Sequence, residues 1–325
     1  MVVDEVKLQE FIGRIINDWG AAEGALITFV GDRLGLFKAM IGEGEMTPEE
    51  LAKKTNTHPR MIKEWLASQA AGGYVIYDSN TKKFALPEEH ALALTDEKSP
   101  AYVCGFYQSI VSLFKDEEKI IEAFKTGKGL GWGDHHHYLF EGTERFFKPN
   151  YVANLTQSWI PALDDVEIKL KNKKCKIADV GCGHGASTIM MAKAYPNSNV
   201  IGFDSHKPSI EWARKRAVEE GVMNITFKVA KSSDYPGDDY DLVTFFDCFH
   251  DMGDPIGAAK HVRETLKKKA GTWMLVEPFA NNQLEDNLNP LGRVFYSASS
   301  LICVPASLNE NGPALGAQGL VNRKQ

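Results

Sequence analysis

Apolar residues in the first forty positions fall at helical spacing: Ile12, Ile15, Ile16 and Trp19, then Leu26, Ile27, Val30, Leu34 and Phe37. That period gathers them on one face, so positions 11 to 40 predict helices that need a partner surface. Thr47-Pro48-Glu49-Glu50 pairs a hydroxyl with a carboxylate three residues later and sets proline at the first helical position. It predicts a capped helix running through Lys54. After Asn56-Thr57-His58, Pro59 opens a second helix with Ile62, Trp65, Leu66 and Ala70 on one face and Gly72-Gly73 as its stop. Positions 74–77 and 84–86, joined by a polar turn, read as a β-hairpin. Helix, turn, helix and hairpin in this order make a winged helix.

The next stretch, 101–165, reads as a helical linker with Phe106, Ile110, Phe114, Ile120, Ile121 and Phe124 as its expected core. Its middle, Gly129-Leu-Gly-Trp-Gly-Asp-His-His-His137, concentrates glycines and histidines in one loop. Neighbouring side chains diverge in helix and strand alike, so three adjacent histidines do not converge on one ion. A surface or lid loop is expected, with one of His135, His136 and His137 facing a substrate as the intermediate case. From Lys176 onward the period changes to short apolar runs: 177–180, 199–204, 225–229, 240–247 and 272–278, alternating with helical segments such as 210–220, closed by Gly221. Alternating strands and helices predict a parallel α/β sheet of five strands.

At 325 residues the chain has room for two domains with separate cores. A net charge of −6 gives no global field for nucleic acid. The opening residues lack a basic segment followed by an apolar run, and no twenty-residue stretch is free of polar groups, so a cytoplasmic protein with no membrane association is expected. Five scattered cysteines without a C-x-x-C pair suggest neither a disulfide framework nor a zinc site, and no metal is expected.

The chemistry concentrates after the first strand of the sheet. Asp179 closes that strand, and Gly181, Gly183 and Gly185 follow at alternate positions before a helix, letting a ligand approach bare backbone. Some twenty residues on, Asp204 ends the second strand, at the spacing where a carboxylate holds both hydroxyls of a ribose. The G-x-G-x-G spacing lacks the G-x-G-x-x-G that seats a pyrophosphate, which points to a ligand with a ribose and no phosphate. At the end of the fourth strand stands Asp247-Cys-Phe-His-Asp-Met-Gly-Asp254. Ligands of open parallel sheets lie outside the carboxyl ends of the strands, so Asp247, His250, Asp251 and Asp254 are placed for chemistry. Of these, His250 has the ordinary pKa of a general base.

The glycine turn with Asp204 resembles the class I methyltransferases, which bind S-adenosylmethionine. Phe249-His-Asp-Met-Gly-Asp254 resembles the H-D-x-x-D motif of the winged-helix small-molecule O-methyltransferases. The likeness extends from Gly13-Arg14 through the capping box and Glu141-Gly-Thr-Glu-Arg-Phe-Phe147 to Pro290-Leu-Gly-Arg-Val-Phe-Tyr296 and Gly312-Pro-Ala-Leu-Gly-Ala-Gln318. It implies a winged-helix domain over 1–100 that dimerises and closes the substrate pocket, the linker, and a Rossmann-like methyltransferase domain over 166–325. It further implies S-adenosylmethionine as cofactor, with Asp179, Gly181, Gly183, Gly185, Asp204, Ser232 and Asp247 around it. For the adenine turn, Lys231, Ser232 and Ser233 all remain open. His250 would be the base and Glu277, at the end of the fifth strand, would orient it; the plainer alternatives are a structural histidine capping backbone and a carboxylate bound to backbone or water.

The family sheet has seven strands, whereas this sequence carries five and ends at Gln325, so a sheet lacking its last two strands is expected. The implied activity is O-methylation of a small, partly apolar molecule by a homodimer, with N- or C-methylation as a variant. A different class of reading is a silent S-adenosylmethionine-binding protein whose winged helix engages a partner or DNA. Glu49, Glu50 and Glu64 among the few basic residues of that region weigh against nucleic acid.

Overall fold

A computed structural model describes residues 3–317; the end of the Gly312–Gln318 motif and the seven residues after it lie outside the described residues. Two compact units form. One runs to Val111 and takes in Glu141–Asn150; the other comprises Ser112–Phe140 and the chain from Tyr151 onward. The stretch read as a linker is thus divided between the two, because its helices find separate cores.

The first unit begins with a helix, Glu5–Arg33, whose N-terminus is capped by the Asp4 carboxylate accepting from the Val6 and Lys7 N–H groups. With the short helix Leu36–Met40 it covers the expected 11–40. Its C-terminal part is the buried part: Gly31 lies so close to the Trp65 ring that a Cβ would stand 2.4 Å from it, and Trp65 Nε1 donates to the Ile27 carbonyl at 3.0 Å. Its N-terminal apolar residues stay exposed, Ile16 at 61% and Trp19 at 65%. At Thr47 the capping box forms in full, with both reciprocal bonds present, and opens the helix Pro48–Thr55. The second helix runs Pro59–Ala71. Strands β1 (Ile76–Asp78) and β2 (Lys83–Ala85) pair antiparallel as the wing. Leu36, Phe37, Met40, Leu51, Ile62, Trp65, Leu66, Val75 and Phe84 fill the core. The Glu141–Phe147 segment joins this unit through Arg145, which donates to both Asp32 oxygens at 2.8 and 3.0 Å.

The second unit is built on a parallel sheet: β3 (Lys176–Val180), β4 (Asn199–Asp204), β5 (Ile225–Val229), β6 (Leu242–Phe246) and β7 (Thr272–Val276). The order is β5-β4-β3-β6-β7, so the chain reverses direction across the sheet beside β3, where such sheets bind ligands. Every residue of β6 is buried, as are the last four of β3, which explains their continuous apolar runs. Helices Ala186–Ala194, Lys207–Glu219 and Pro255–Thr265 connect the strands. The second starts three residues before the expected Ile210, because Pro208 is tolerated in a first turn. After β7 comes one helical run, Pro290–Ala298, a π-helical turn Ser299–Cys303 and Val304–Asn309. This run is long and apolar enough to cross a bilayer by length and composition. In the fold it is a wall of the unit: Ser307 Oγ donates to the Met252 carbonyl at 2.9 Å, and Leu130 N–H to that of Pro305 at 2.9 Å.

The expected core of 101–163 fares unevenly. Ile120 is buried with Ala123 and Leu130. Phe114, Ile121 and Phe124 are exposed, because they lie on the outer face of the helices that present Ile120 inward.

Candidate active site

Gly181, Gly183 and Gly185 all adopt left-handed backbone, with φ of 73°, 51° and 78°, and two of them do so against close neighbours. A Cβ on Gly181 would stand 2.6 Å from Cys248 Sγ, and one on Gly185 2.6 Å from the Phe227 ring. Gly183 differs: nothing lies within 4 Å of its Cβ position, so its backbone faces open space. The loop is fastened to β4, since Gly181 and Cys182 both donate to the Phe203 carbonyl, at 2.8 and 3.0 Å.

Asp204 organises the same place. Its two oxygens accept from the Gly183 and His206 N–H groups, each at 2.8 Å. Burial pushes its pKa up against those bonds and the nearby His206 and His184. The turn holding Ser232 is attached to it by Ala230 N–H to the Asp204 carbonyl at 3.0 Å. Ser232 and Ser233 are half-buried there and Lys231 is exposed.

Asp179 takes a different part from the one expected. It is 1% exposed, and its carboxylate accepts from the hydroxyls of Ser187 (2.7 Å), Thr188 (2.6 Å) and Thr244 (2.8 Å). It ties β3, β6 and the helix after the glycine loop together. A strand-end acid is drawn inward here because three buried hydroxyls supply donors there. Burial nonetheless raises its pKa.

At the end of β6, Asp247 has φ of 53° and its N–H donates to the Val276 carbonyl at 2.8 Å. Burial, with Glu277 and Asp251 close by, pushes its carboxyl up to about 7 despite the opposing pull of His250. His250 follows on a short 3-10 turn, Phe249–Asp251, and is 3% exposed. Its Nδ1 makes a very short contact with Glu277 Oε2. The other Glu277 oxygen accepts from the Phe249 N–H at 2.8 Å. One carboxylate therefore fixes both the ring and the turn that carries it. Nε2 lies 3.1 Å from Asp251 Oδ1. Burial opposes a charge on His250, but Asp251, the Cys303 thiol and Glu277 outweigh it and hold its pKa well above the ordinary value. These neighbours favour the protonated ring, so His250 takes up a proton more readily here than an ordinary histidine. Asp254 stands apart from this chemistry as the cap of the helix Pro255–Thr265, accepting from Gly257 N–H at 2.7 Å.

Sequence reasoning missed two contributors. The Tyr151 ring packs 5.4 Å from Phe246, and its phenol pKa is raised well above 10.0 by burial and then by Asp247, Asp179, Cys248 and Glu277. Cys303 reaches His250 from the π-helical turn. Neither shows a local signal, because each meets its partners only across the fold. The glycine-histidine loop packs on Asn309 through Gly131 and on His206 through Gly133, and the Phe140 ring just after it lies 4.7 Å from that of His206. His135 is buried with Nδ1 3.2 Å from Asp116, while the His136 and His137 rings stack on each other at 4.2 Å.

Asp204, Asp247, Asp251 and Glu277 crowd this end of the sheet around His250, so the site favours a cationic ligand. S-adenosylmethionine carries an ammonium and a sulfonium, and its ribose needs acceptors beside open backbone. The residue types present fit such a group: a carboxylate at Asp204 beside the open backbone of Gly183, and further carboxyl groups at Asp247, Asp251 and Glu277.

A family described as a methyltransferase domain matches residues 171–296, and one described as an Rv2258c-like winged HTH domain matches 22–96. The uncharacterized methyltransferase YcgJ of Bacillus subtilis is 28% identical over 139 residues, 40% of this chain and 54% of its own length, so this chain spans about half of that relative. Among solved structures, the mitomycin 7-O-methyltransferase MmcR superposes with a TM-score of 0.67 at 17% identity, covering 96% of this chain and 89% of its own. Human N-acetylserotonin methyltransferase, solved with S-adenosylmethionine, gives 0.62 at 17%, covering 90% and 86%. Residues 22–96 thus match an Rv2258c-like winged helix-turn-helix domain and residues 171–296 a methyltransferase domain, and the chain shares the fold of these solved methyltransferases.

Proposed function

We propose that this chain transfers the methyl group of S-adenosylmethionine to an oxygen of a small, partly apolar acceptor, with His250 as general base. The observation that carries this reading is the clamp of His250 by Glu277, from the ends of adjacent strands β6 and β7 and close to Asp247. Bound S-adenosylmethionine supplies a methyl group on a positively charged sulfur, a good leaving group. Asp204 would accept from the ribose hydroxyls, and Asp247 would hold the cationic end. A neutral hydroxyl must lose its proton as it attacks, and His250 Nε2 takes that proton while Glu277 holds Nδ1–H and steadies the resulting charge. For this the ring must first be neutral and Asp251 must yield its place at Nε2 to the acceptor. Half-buried Phe295, Tyr296 and Leu301 suit an apolar acceptor body; Leu291 is exposed. The 7-O-methylation named for MmcR supports oxygen as the target.

A homodimer is part of this reading. The exposed apolar residues at the start of Glu5–Arg33 supply a face that a second copy would cover. Arg60, which a DNA contact would use, is instead paired with Glu64.

Two variants separate the roles. His250→Ala is expected to lower turnover by about 100-fold or more with cofactor affinity nearly kept. Asp204→Ala is expected to weaken cofactor binding by about 10- to 100-fold, the worth of charge-assisted hydrogen bonds. Calorimetry with S-adenosylmethionine and single-turnover assays measure both, and equal loss of both properties in either variant would reject the assignment.

A further inference from the structure

His250, Asp251 and Cys303 bring three kinds of donor to one place. A ring nitrogen, a carboxylate oxygen and a thiol sulfur all lie within 4.8 Å of one another, in a largely buried setting. His250 Nε2 and Asp251 Oδ1 are 3.1 Å apart, yet Oδ1 is a buried atom with no hydrogen-bond partner. They are close without being aligned as donor and acceptor. Two donors bound to one ion stand in a similar relation: with metal–ligand bonds of about 2.1 Å, neighbouring donors of a tetrahedral zinc site are roughly 3.4 Å apart.

The third donor is delivered by irregular backbone. Cys303 ends the π-helical turn Ser299–Cys303, a distortion that helices tolerate mostly where a side chain must be re-aimed. The turn is held by Ala317 N–H donating to Ser299 Oγ at 3.2 Å, and the helix Val304–Asn309 that follows it by Ser307 Oγ donating to the carbonyl of Met252, next to Asp251, at 2.9 Å. Imidazole, carboxylate and thiolate together suit a borderline-soft ion such as Zn²⁺ better than Mg²⁺ or Ca²⁺, which take oxygen ligands. Three protein ligands leave a fourth position open.

We propose that His250 Nε2, Asp251 Oδ1 and Cys303 Sγ form a binding site for a zinc-type divalent ion. The ion replaces the thiol proton and the proton at Nε2, so binding releases protons. It occupies the atom that would take the acceptor's proton, and therefore inhibits methyl transfer while cofactor binding at Asp204 persists. The binding of the ion stands independently of the proposed methyl transfer; the inhibition rests on it.

The full chain, stripped of metal by chelation, is titrated with Zn²⁺ by calorimetry and with Co²⁺ by visible absorption. One ion per chain is expected, with a thiolate-to-cobalt charge-transfer band. Cys303→Ser is expected to abolish the band and weaken binding by about 100-fold or more, since even supporting groups outside a metal's ligands contribute up to that much. Cys175→Ser, at a thiol next to the start of β3, leaves band and affinity unchanged. Should Cys303→Ser not fold, Asp251→Asn provides the second variant: the band remains and affinity falls. Absence of saturable binding, a band that survives Cys303→Ser, or binding removed by His136→Asn but not by Cys303→Ser would overturn the proposal.

Discussion

Replacing Asp247 with asparagine separates the two opposing effects of a carboxylate in an acidic neighbourhood. Burial and the nearby Glu277 and Asp251 push its pKa from 3.8 up to about 7. Holding a carboxyl that far from its ordinary value corresponds to about 4 kcal/mol of disfavoured ionisation, and because the side chain keeps some exposure we expect roughly half, about 2 kcal/mol. The sign follows from the raised value: the folded state binds the proton more tightly than the unfolded one. Stability is therefore greatest below the ordinary carboxyl range and declines as pH climbs to 7. Asp247→Asn should accordingly raise the melting temperature of the ligand-free protein at about pH 8, where the native carboxylate is ionised, by the few degrees that about 2 kcal/mol represents in a chain of this size.

Cofactor binding should change the opposite way. The ionised carboxylate is what would face the ammonium and sulfonium, so affinity in the native protein falls about tenfold between about pH 8 and about pH 6. Near neutrality, binding releases about half a proton. Calorimetry in two buffers of different ionisation enthalpy measures affinity and proton release together. A flat pH profile in the native protein, or an unchanged slope in Asp247→Asn, would refute the role given to this residue.

Glu277→Gln removes one of the carboxylates that raise the His250 pKa. A base works only when neutral, so turnover rises with pH, and the variant shifts that rise to lower pH while reducing the plateau; a pH–rate profile checks both. The same raised pKa means that the clamp's contribution to stability is complete below the unfolded histidine value near 6.5 and is lost as pH climbs through the folded one. Asp179→Ala leaves three buried hydroxyls without their acceptor and should destabilise the second unit by about 3 kcal/mol, read from denaturant unfolding. Ile16→Glu with Trp19→Glu places charge on the exposed face of Glu5–Arg33; sedimentation should show dimer converting to monomer, and an unchanged oligomer would remove that helix from the interface.

Much of the framework was legible because its causes are local. The capping box at Thr47 needs only four residues, and both of its bonds form. β4 occupies the predicted span to the residue, since an apolar run bounded by turn residues carries its own limits. Gly183 and Asp204, separated by one βα unit, come together as their spacing implied. What sequence left undecided depended on distance along the chain. Asp179 meets Thr244 across 65 positions, and a strand-end acid looks the same whether it faces a ligand or three hydroxyls. Periodicity locates an apolar face without saying what covers it, so Phe114 and Phe124 are exposed although Ile120 beside them is buried.

The amino-acid sequence by itself determined the element order, the glycine turn and the placing of Asp204, His250 and Glu277 at strand ends, because backbone propensity and alternation act over a few residues. Only the tertiary structure decided the raised pKa of His250 and the meeting of Cys303 with Asp251. The first follows from Asp251, Cys303 and Glu277 outweighing burial, the second from a helical turn distant in the chain, and a pKa is a property of that assembled environment rather than of the residue alone.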